Sequence, residues 1–410
     1  MEEVVVTGMG VVSSLGHSAE ELWANLLAGK SGVGPIDRFD TEAFSVKFAG
    51  QVRNFDPSPY YSERDAGRTS RNIQYAVHAS ETALKMAGMD PKAVDPKRSG
   101  VVIGSGMGGM DVFFDNSVAL EARGPRRVSP FFVPMAILNM AAGEVGIRLG
   151  WMGPNFAPVS ACATSNHAFI TAVDQIRLGR ADVMLAGGCE EAVCKIGVAG
   201  FAVMKALSTR NDNPQAASRP FDKDRDGFVM AEGAGVLVLE SLSHAKKRGA
   251  TILARIAGCG MSSDGYHISQ PREDGEGVAL AMQSAILDAK ISMTDVTYIN
   301  THGTSTPLGD VAECGAIVKA FGGKIENLKI NSTKSMVGHG LGSASGIEAI
   351  ATILSLRDQK VHQTLNLDNQ DERIILDCCG KGPVSHKIEY AMSNSFGFGG
   401  HNTSVIFARA

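Results

Sequence analysis

No stretch of this sequence is apolar for long enough to cross a bilayer. Its opening, Met1-Glu2-Glu3-Val4-Val5-Val6, carries no basic leader, so neither a membrane span nor a signal peptide is expected. A surplus of charge is also missing. A formal net charge of −4 excludes a sequence-wide surface for nucleic acid or an anionic membrane, so any basic patch must be local. Seven cysteines, an odd number without a C-x-x-C pair, argue against a disulfide framework and a zinc site and fit a reducing compartment. The expected location is the cytoplasm, or a plastid or mitochondrial matrix had a transit peptide been removed. Glycine, by contrast, is plentiful: 47 in 410 residues imply many tight turns and close backbone approaches. The length allows one large or two medium domains.

Two stretches imitate ligand sites. Gly104-Ser105-Gly106-Met107-Gly108-Gly109 follows the strand-like Ser99–Ile103 and matches the G-x-G-x-x-G dinucleotide fingerprint. No acidic residue ends a second strand at the required distance, so nucleotide binding is not expected. Asp222-Lys223-Asp224-Arg225-Asp226-Gly227 resembles the start of a calcium loop. Its twelfth position is Gly233 rather than Glu, and no helix-loop-helix pattern flanks it, which makes it a charged turn.

The chain alternates apolar runs with helical spacing. Val4-Val5-Val6 ends in Gly8-Met9-Gly10. Ser18-Ala19-Glu20-Glu21 reads as a capping box opening a helix closed by Gly29, and Ile73–Met86 is helical up to Gly88. From about residue 251 this order begins again. Ile252–Ala257 echoes the opening strand, Val296–Ile299 stands where Val101–Gly104 stood, and Tyr390-Ala391-Met392 stands where Ala181–Gly188 stood. Strands alternating with helices imply parallel sheets covered by helices. The expectation is an α/β protein of two similar halves, residues 1–250 and 251–410, with no flexible linker.

The chain is organised around Ser160-Ala161-Cys162-Ala163-Thr164-Ser165-Asn166. An extended, proline-containing run precedes it, and a helical face of Phe169, Val173 and Ile176 follows, broken at Gly179. Cys162 therefore stands where a strand turns into a helix N-terminus, whose free N–H groups and dipole favour an anion and should lower its pKa. A buried inert cysteine fits the same local context. Two histidines decide between these readings. His302 ends a strand in Asn300-Thr301-His302-Gly303-Thr304-Ser305-Thr306, and His339 lies in Lys334-Ser335-Met336-Val337-Gly338-His339, before a small-residue helix containing Glu348. Strand ends are where open α/β sheets bind ligands. With Cys162 they make a Cys-His-His set, and Phe396-Gly397-Phe398-Gly399-Gly400 can bring backbone N–H donors near.

These motifs, together with Leu207–Gly235 and Asn394–Gly400, resemble the beta-ketoacyl-[acyl-carrier-protein] synthases, the condensing enzymes of fatty-acid synthesis, essentially end to end. The His-His pattern resembles the elongating group, and Gly106–Gly109 with Arg210–Pro220 look most like its type II branch. The resemblance implies a thiolase-like αβαβα fold, a homodimer, an acyl carrier protein as partner and no cofactor or metal, the substrates carrying their own phosphopantetheine. It implies Cys162 as nucleophile, His302 and His339 as enolate stabilisers, and the N–H groups of Cys162 and Phe398 as an oxyanion site. Lys334 would tune the charge around them, with Glu348 as its buried partner. Thr304 and Thr306 would hold the pantetheine arm, with Met107 on the acyl-pocket floor and Phe398 at its mouth. Arg68, Arg71, Arg126, Arg127 and Lys205 would meet the acidic carrier. Two departures stand out: Ser345 replaces a helix alanine, and Asp65-Ala66-Gly67-Arg68 is less basic than in some members. A thiolase would need a second cysteine in Ser393–Ala410, which has none; Cys378-Cys379 lies upstream. A non-catalytic chain-length factor would lack Cys162.

Overall fold

Nine consecutive buried residues, Val4–Val12, form the first strand, and the equally buried Gly233–Ser241 pairs with it antiparallel. Apolar runs without polar alternation bury both faces of a sheet. The computed structural model, which describes residues 2–410, places ten strands in one twisted surface. They are β1 (Val4–Val12), β2 (Ser99–Gly104), β3 (Asn155–Phe156), β4 (Val183–Glu190), β5 (Gly233–Ser241), β6 (Ala254–Ser263), β7 (Val296–Asn300), β8 (Lys329–Asn331), β9 (Tyr390–Gly397) and β10 (His401–Ala408). Their spatial order is β8-β7-β9-β10-β6-β1-β5-β4-β2-β3. Counted outward from the centre, β6-β10-β9-β7-β8 repeats β1-β5-β4-β2-β3. The two runs meet where Val4–Val6 of β1 lies against Ala254–Ile256 of β6.

Parallel pairing holds for β2 with β3 and β4, and for β7 with β8 and β9. The closing strands depart from the all-parallel expectation: β5 is antiparallel to β1 and β4, and β10 to β6 and β9. The β9–β10 link is too short for a crossover. It turns through Gly399 and Gly400, both at positive φ, and a link so short forces a hairpin.

Six helices matter for the site: α1 (Ala19–Leu27), α2 (Arg71–Met86), α3 (Met110–Arg123), α4 (Thr164–Arg177), α5 (Glu276–Ala289) and α6 (Ala344–Asp358). Every residue of α6 from Ala344 to Leu356 is buried, as a helix enclosed on all sides must be. It touches β5 of one run and β9 of the other, and α4 touches β2 and β4 as well as β10. These two helices form the middle layer, α2 covers β1 and β5 outside, and α5 covers β6 and β10. The result is the five-layer α/β arrangement. At α1 the Ser18 side chain caps the Glu21 N–H as expected, while the Glu21 carboxylate reaches the His17 N–H instead of returning to Ser18. Among the described residues no helix is long and apolar enough to cross a membrane.

Candidate active site

Between the end of β3 and the start of α4 the chain makes a tight elbow. Ala161 has φ 50°, a left-handed conformation uncommon for a residue with a Cβ. Such a conformation persists where its surroundings over-determine it. The Thr164 hydroxyl accepts from Ser160 N–H (3.0 Å) and donates to the Ala161 carbonyl (2.7 Å). The Ser395 hydroxyl on β9 donates to the Cys162 carbonyl (2.8 Å). Gly397 is required beside it: a Cβ there would stand 2.5 Å from the Ser160 carbonyl oxygen. The elbow is thus clamped from both halves of the chain.

Cys162 is 6% exposed, and its Sγ lies 3.0 Å from His339 Nε2. Burial pushes the thiol up to about 12, while the Lys334 ammonium and the N–H groups of Phe398 and Cys162 pull the other way. This corrects the lowered pKa expected from the helix N-terminus: desolvation of the sulfur outweighs the favourable dipole, and the resting group is a thiol.

His339 Nδ1 accepts from the Leu341 N–H at 3.3 Å. Burial, then Lys334, holds its imidazole well below the usual histidine range, so it is neutral. A neutral ring whose Nδ1 is an acceptor carries its proton on Nε2. His339 therefore donates toward Sγ and does not receive its proton. His302 leaves β7 with its own N–H and that of Gly303 on the Glu313 carboxylate (2.9 and 2.8 Å). Its ring stands at 86° to that of His339, centroids 5.3 Å apart. Burial, Lys334 and His339 keep it neutral too. Lys334 and Glu348 form a buried ion pair behind the two rings.

Cys162, His302 and His339 bring one donor atom each within 4.8 Å of one another, a set chemically suited to zinc. The geometry fits a metal poorly. The nitrogen aimed at Sγ is the protonated one, and two ligands on a tetrahedral zinc would stand roughly 3.5 Å apart given the usual bond lengths. The nearby Lys334 charge further opposes a divalent cation.

A cavity of about 660 Å³ opens over these groups. Its wall includes Cys162, His302, His339, Thr304, Thr306, Met107, Phe398 and Lys205. The Thr304 and Thr306 hydroxyls lie 3.1 Å apart. Phe398 is 37% exposed, and the positive φ of Gly399 and Gly400 follows it directly. Arg68, Arg71, Arg126 and Arg127 do not line this cavity. The Arg68 guanidinium stacks on Phe131. Arg71 is held by Asp111 and the buried Glu191. Arg126 and Arg127 are exposed.

Three residues of the site escaped the sequence reading: Glu190, Glu313 and Ser395. Glu313 was detectable as an acid three residues after Asp310 on a helix whose only other charge is Lys319, both acidic side chains being buried. The two imitation motifs also resolve. The Gly106 and Met107 N–H groups donate to Glu190, so the anion in that glycine turn is the protein's own carboxylate. Asp222 is engaged by Arg219 and by the N–H groups of Asp224, Asp368 and Asn369, and Arg225 by Asp310 and Asp371.

The profile of the beta-ketoacyl synthase N-terminal domain matches residues 1–245, and that of the C-terminal domain matches residues 253–368. The chain is 50% identical over 410 residues to a 3-oxoacyl-[acyl-carrier-protein] synthase 2 of Vibrio cholerae, covering 99% of each. Among solved structures, a beta-ketoacyl synthase from Burkholderia phymatum superimposes with TM-score 0.94 at 38% identity, covering all of both chains. A type II polyketide ketosynthase, solved with its acyl carrier protein and bound to the hexaketide, gives 0.93 at 34%, again over both full chains.

Proposed function

The chain belongs to the beta-ketoacyl synthase family, and from that premise we propose how its residues divide the work of a condensing acyltransferase. The enzyme is a 3-oxoacyl-[acyl-carrier-protein] synthase of type 2, which lengthens an acyl chain by two carbons through decarboxylative condensation with malonyl-[acyl-carrier-protein]. The observation carrying the residue assignment is the Cys162 thiol facing a His339 that can only donate.

In the first step Cys162 sulfur attacks the acyl thioester carbonyl. The N–H groups of Cys162 and Phe398 hold the resulting oxyanion, and the departing pantetheine sulfur carries away the thiol proton. A sulfur nucleophile suits this exchange because it is also a competent leaving group. Malonyl thioester then enters, its pantetheine arm along Thr304 and Thr306. Loss of CO₂ leaves the bonding pair as an enolate, whose oxygen accepts from Nε2 of His302 and His339. The enolate carbon attacks the acyl-Cys162 carbonyl, the C–C bond forms, the C–S bond breaks, and Cys162 leaves as a thiolate that takes up one proton from solvent to restore the resting thiol. Burial, reinforced by Lys334 on its Glu348 partner, keeps both imidazoles neutral and therefore donating. Nothing in these steps calls for a cofactor. Incubation with an acyl-[acyl-carrier-protein], proteolysis and mass mapping should find the acyl group on Cys162; acylation elsewhere would overturn the assignment.

The carrier is proposed to dock beside the cavity mouth at Lys205, with Arg68, Arg126 and Arg127 as further basic contacts. Arg71, already paired twice, contributes least. Reversing Arg126 and Arg127 to Glu should raise KM for a carrier-borne substrate roughly tenfold, two exposed charges at about 1 kcal/mol each being the upper scale. A small pantetheine thioester should be turned over as before. Equal losses with both substrates would count against docking.

The two halves of the fold are proposed as the domains, divided near residue 250. A homodimer is proposed through the face carrying α3 and the edge strand β3. Ala119 is the single buried residue of α3, while Phe113, Val133, Ile137, Met152 and Phe156 are exposed there. An apolar face beside an unpaired strand edge calls for a partner. Sedimentation velocity should give twice the chain mass; a monomer at micromolar concentration would exclude it.

A further inference from the structure

One buried acid takes no part in these steps. Glu190, the last residue of β4, has no solvent exposure and no ion-pair partner among the described residues. Four donors surround its carboxylate instead. Ser105 Oγ (2.8 Å) and Met107 N–H (3.1 Å) meet Oε1, while the N–H groups of Gly106 (2.8 Å) and Gly342 (3.0 Å) meet Oε2. Three of the four are backbone N–H groups that can only donate, and the Ser105 oxygen already accepts from the Gly108 N–H (2.9 Å), so the geometry suits a carboxylate. Burial raises its pKa and these four bonds oppose the rise.

The donors come from two separate turns. One follows β2 and carries Met107 into the cavity. The other follows His339 and carries Leu341, whose N–H fixes the His339 tautomer. The second turn is also tied to the nucleophile's helix, because Ser165 Oγ donates to the Gly342 carbonyl at 2.5 Å. Both glycines are shaped around the acid: a Cβ on Gly106 or on Gly342 would stand 2.8 Å from Glu190 Oε2. One carboxylate thus joins the Met107 wall of the cavity to the turn that sets His339.

We propose that Glu190 is a positioning residue that fixes Met107 as the end-stop of the acyl pocket and so sets the longest acyl chain the enzyme accepts. The inference rests on the condensing activity proposed above. Its lever is the Met107 N–H bond. In Glu190→Gln the amide has one orientation with little conflict. Its oxygen keeps Gly106 and Gly342, and its NH₂ points to Ser105, whose hydroxyl can turn to accept. The Met107 N–H then faces another donor and is released. The opposite orientation would set two backbone N–H groups against the NH₂, which is worse. Met107, an unbranched side chain on a freed turn, can then yield to a longer chain.

The test uses the full-length purified enzyme with a ladder of acyl-[acyl-carrier-protein] lengths. Met107→Phe should shorten the longest accepted chain. Glu190→Gln should raise the rate of the longest chains relative to short ones by roughly tenfold, the scale of a misplacement well under 1 Å. In the double variant the effects should be non-additive, as for residues acting through one contact. A second readout is independent of condensation. The charged and titratable groups facing the Cys162 thiol are Lys334, Glu190, His302 and His339. Removing the Glu190 charge should move the pH midpoint of Cys162 alkylation by iodoacetamide downward, which a purely structural loss would not do. A folded Glu190→Gln enzyme with the wild-type chain-length profile overturns the proposal, and so does full additivity. Failure of the wild-type enzyme to condense would instead overturn the functional reading, leaving the alkylation result to report on Glu190.

Discussion

Replacing Cys162 by Ala is expected to abolish covalent loading from an acyl thioester and to lower condensation by on the order of 10⁶, the scale that accompanies loss of a covalent nucleophile. The fold should survive. The elbow already accommodates alanines at 161 and 163, and its clamps from Thr164 and Ser395 reach backbone and hydroxyl atoms that the substitution leaves in place. The lost sulfur contacts amount to about 1 kcal/mol, comparable to one buried methylene. His302 and His339 remain, so decarboxylation of malonyl thioester should persist while transfer from the acyl donor disappears. The measurement is intact-mass analysis after incubation with acyl-[acyl-carrier-protein], alongside release of labelled CO₂ from malonyl thioester. Normal acylation of the variant would remove Cys162 from the mechanism.

Loss of either imidazole should act on the other half of the cycle. His302→Ala or His339→Ala is expected to cost about 10²–10³ in condensation, the usual penalty for one oxyanion donor. Acylation of Cys162 should fall less. His339 should show the larger secondary effect on acylation, because its Nε2 lies 3.0 Å from Sγ while its Nδ1 is held by Leu341. Burial and Lys334 hold both rings well below the ordinary histidine range. Acidification through pH 6.5 therefore leaves them neutral and donating, and the condensation rate should show no acid limb at the usual histidine pKa. Such a limb, removed by either substitution, would contradict the neutral-donor role, as would unimpaired malonyl decarboxylation in a variant.

Much of this was legible in the sequence because local chemistry sufficed to announce it. Apolar runs ending in glycine turns marked the strand ends, and hydroxyl- or glycine-rich flanks marked Cys162, His302 and His339. The order of runs recurred in two halves, as the mirrored strand order now displays. What separated a catalytic cysteine from an inert one was the company of two histidine motifs, which sequence can present side by side. It cannot show that residues 177 positions apart end within one hydrogen bond.

The folded structure decided what depends on surroundings. The direction of the Cys162 shift turned on how much protein encloses the sulfur, a property of packing that overrode the helix dipole visible from the chain. The same holds for the direction of β10, which a two-glycine hairpin settled against the parallel expectation. It holds for Arg71, which pairs with Asp111 and the buried Glu191. It holds most clearly for Gly104–Gly109. Sequence determined that this turn offers backbone N–H groups to an anion, since small residues at a strand end expose them. Which anion arrives is a matter of what lies within hydrogen-bond reach, and β4 delivers Glu190 there. Local residue types determined the chemistry each segment can perform; long-range packing determined on which partner it is performed, because burial and distance exist only once the chain has closed.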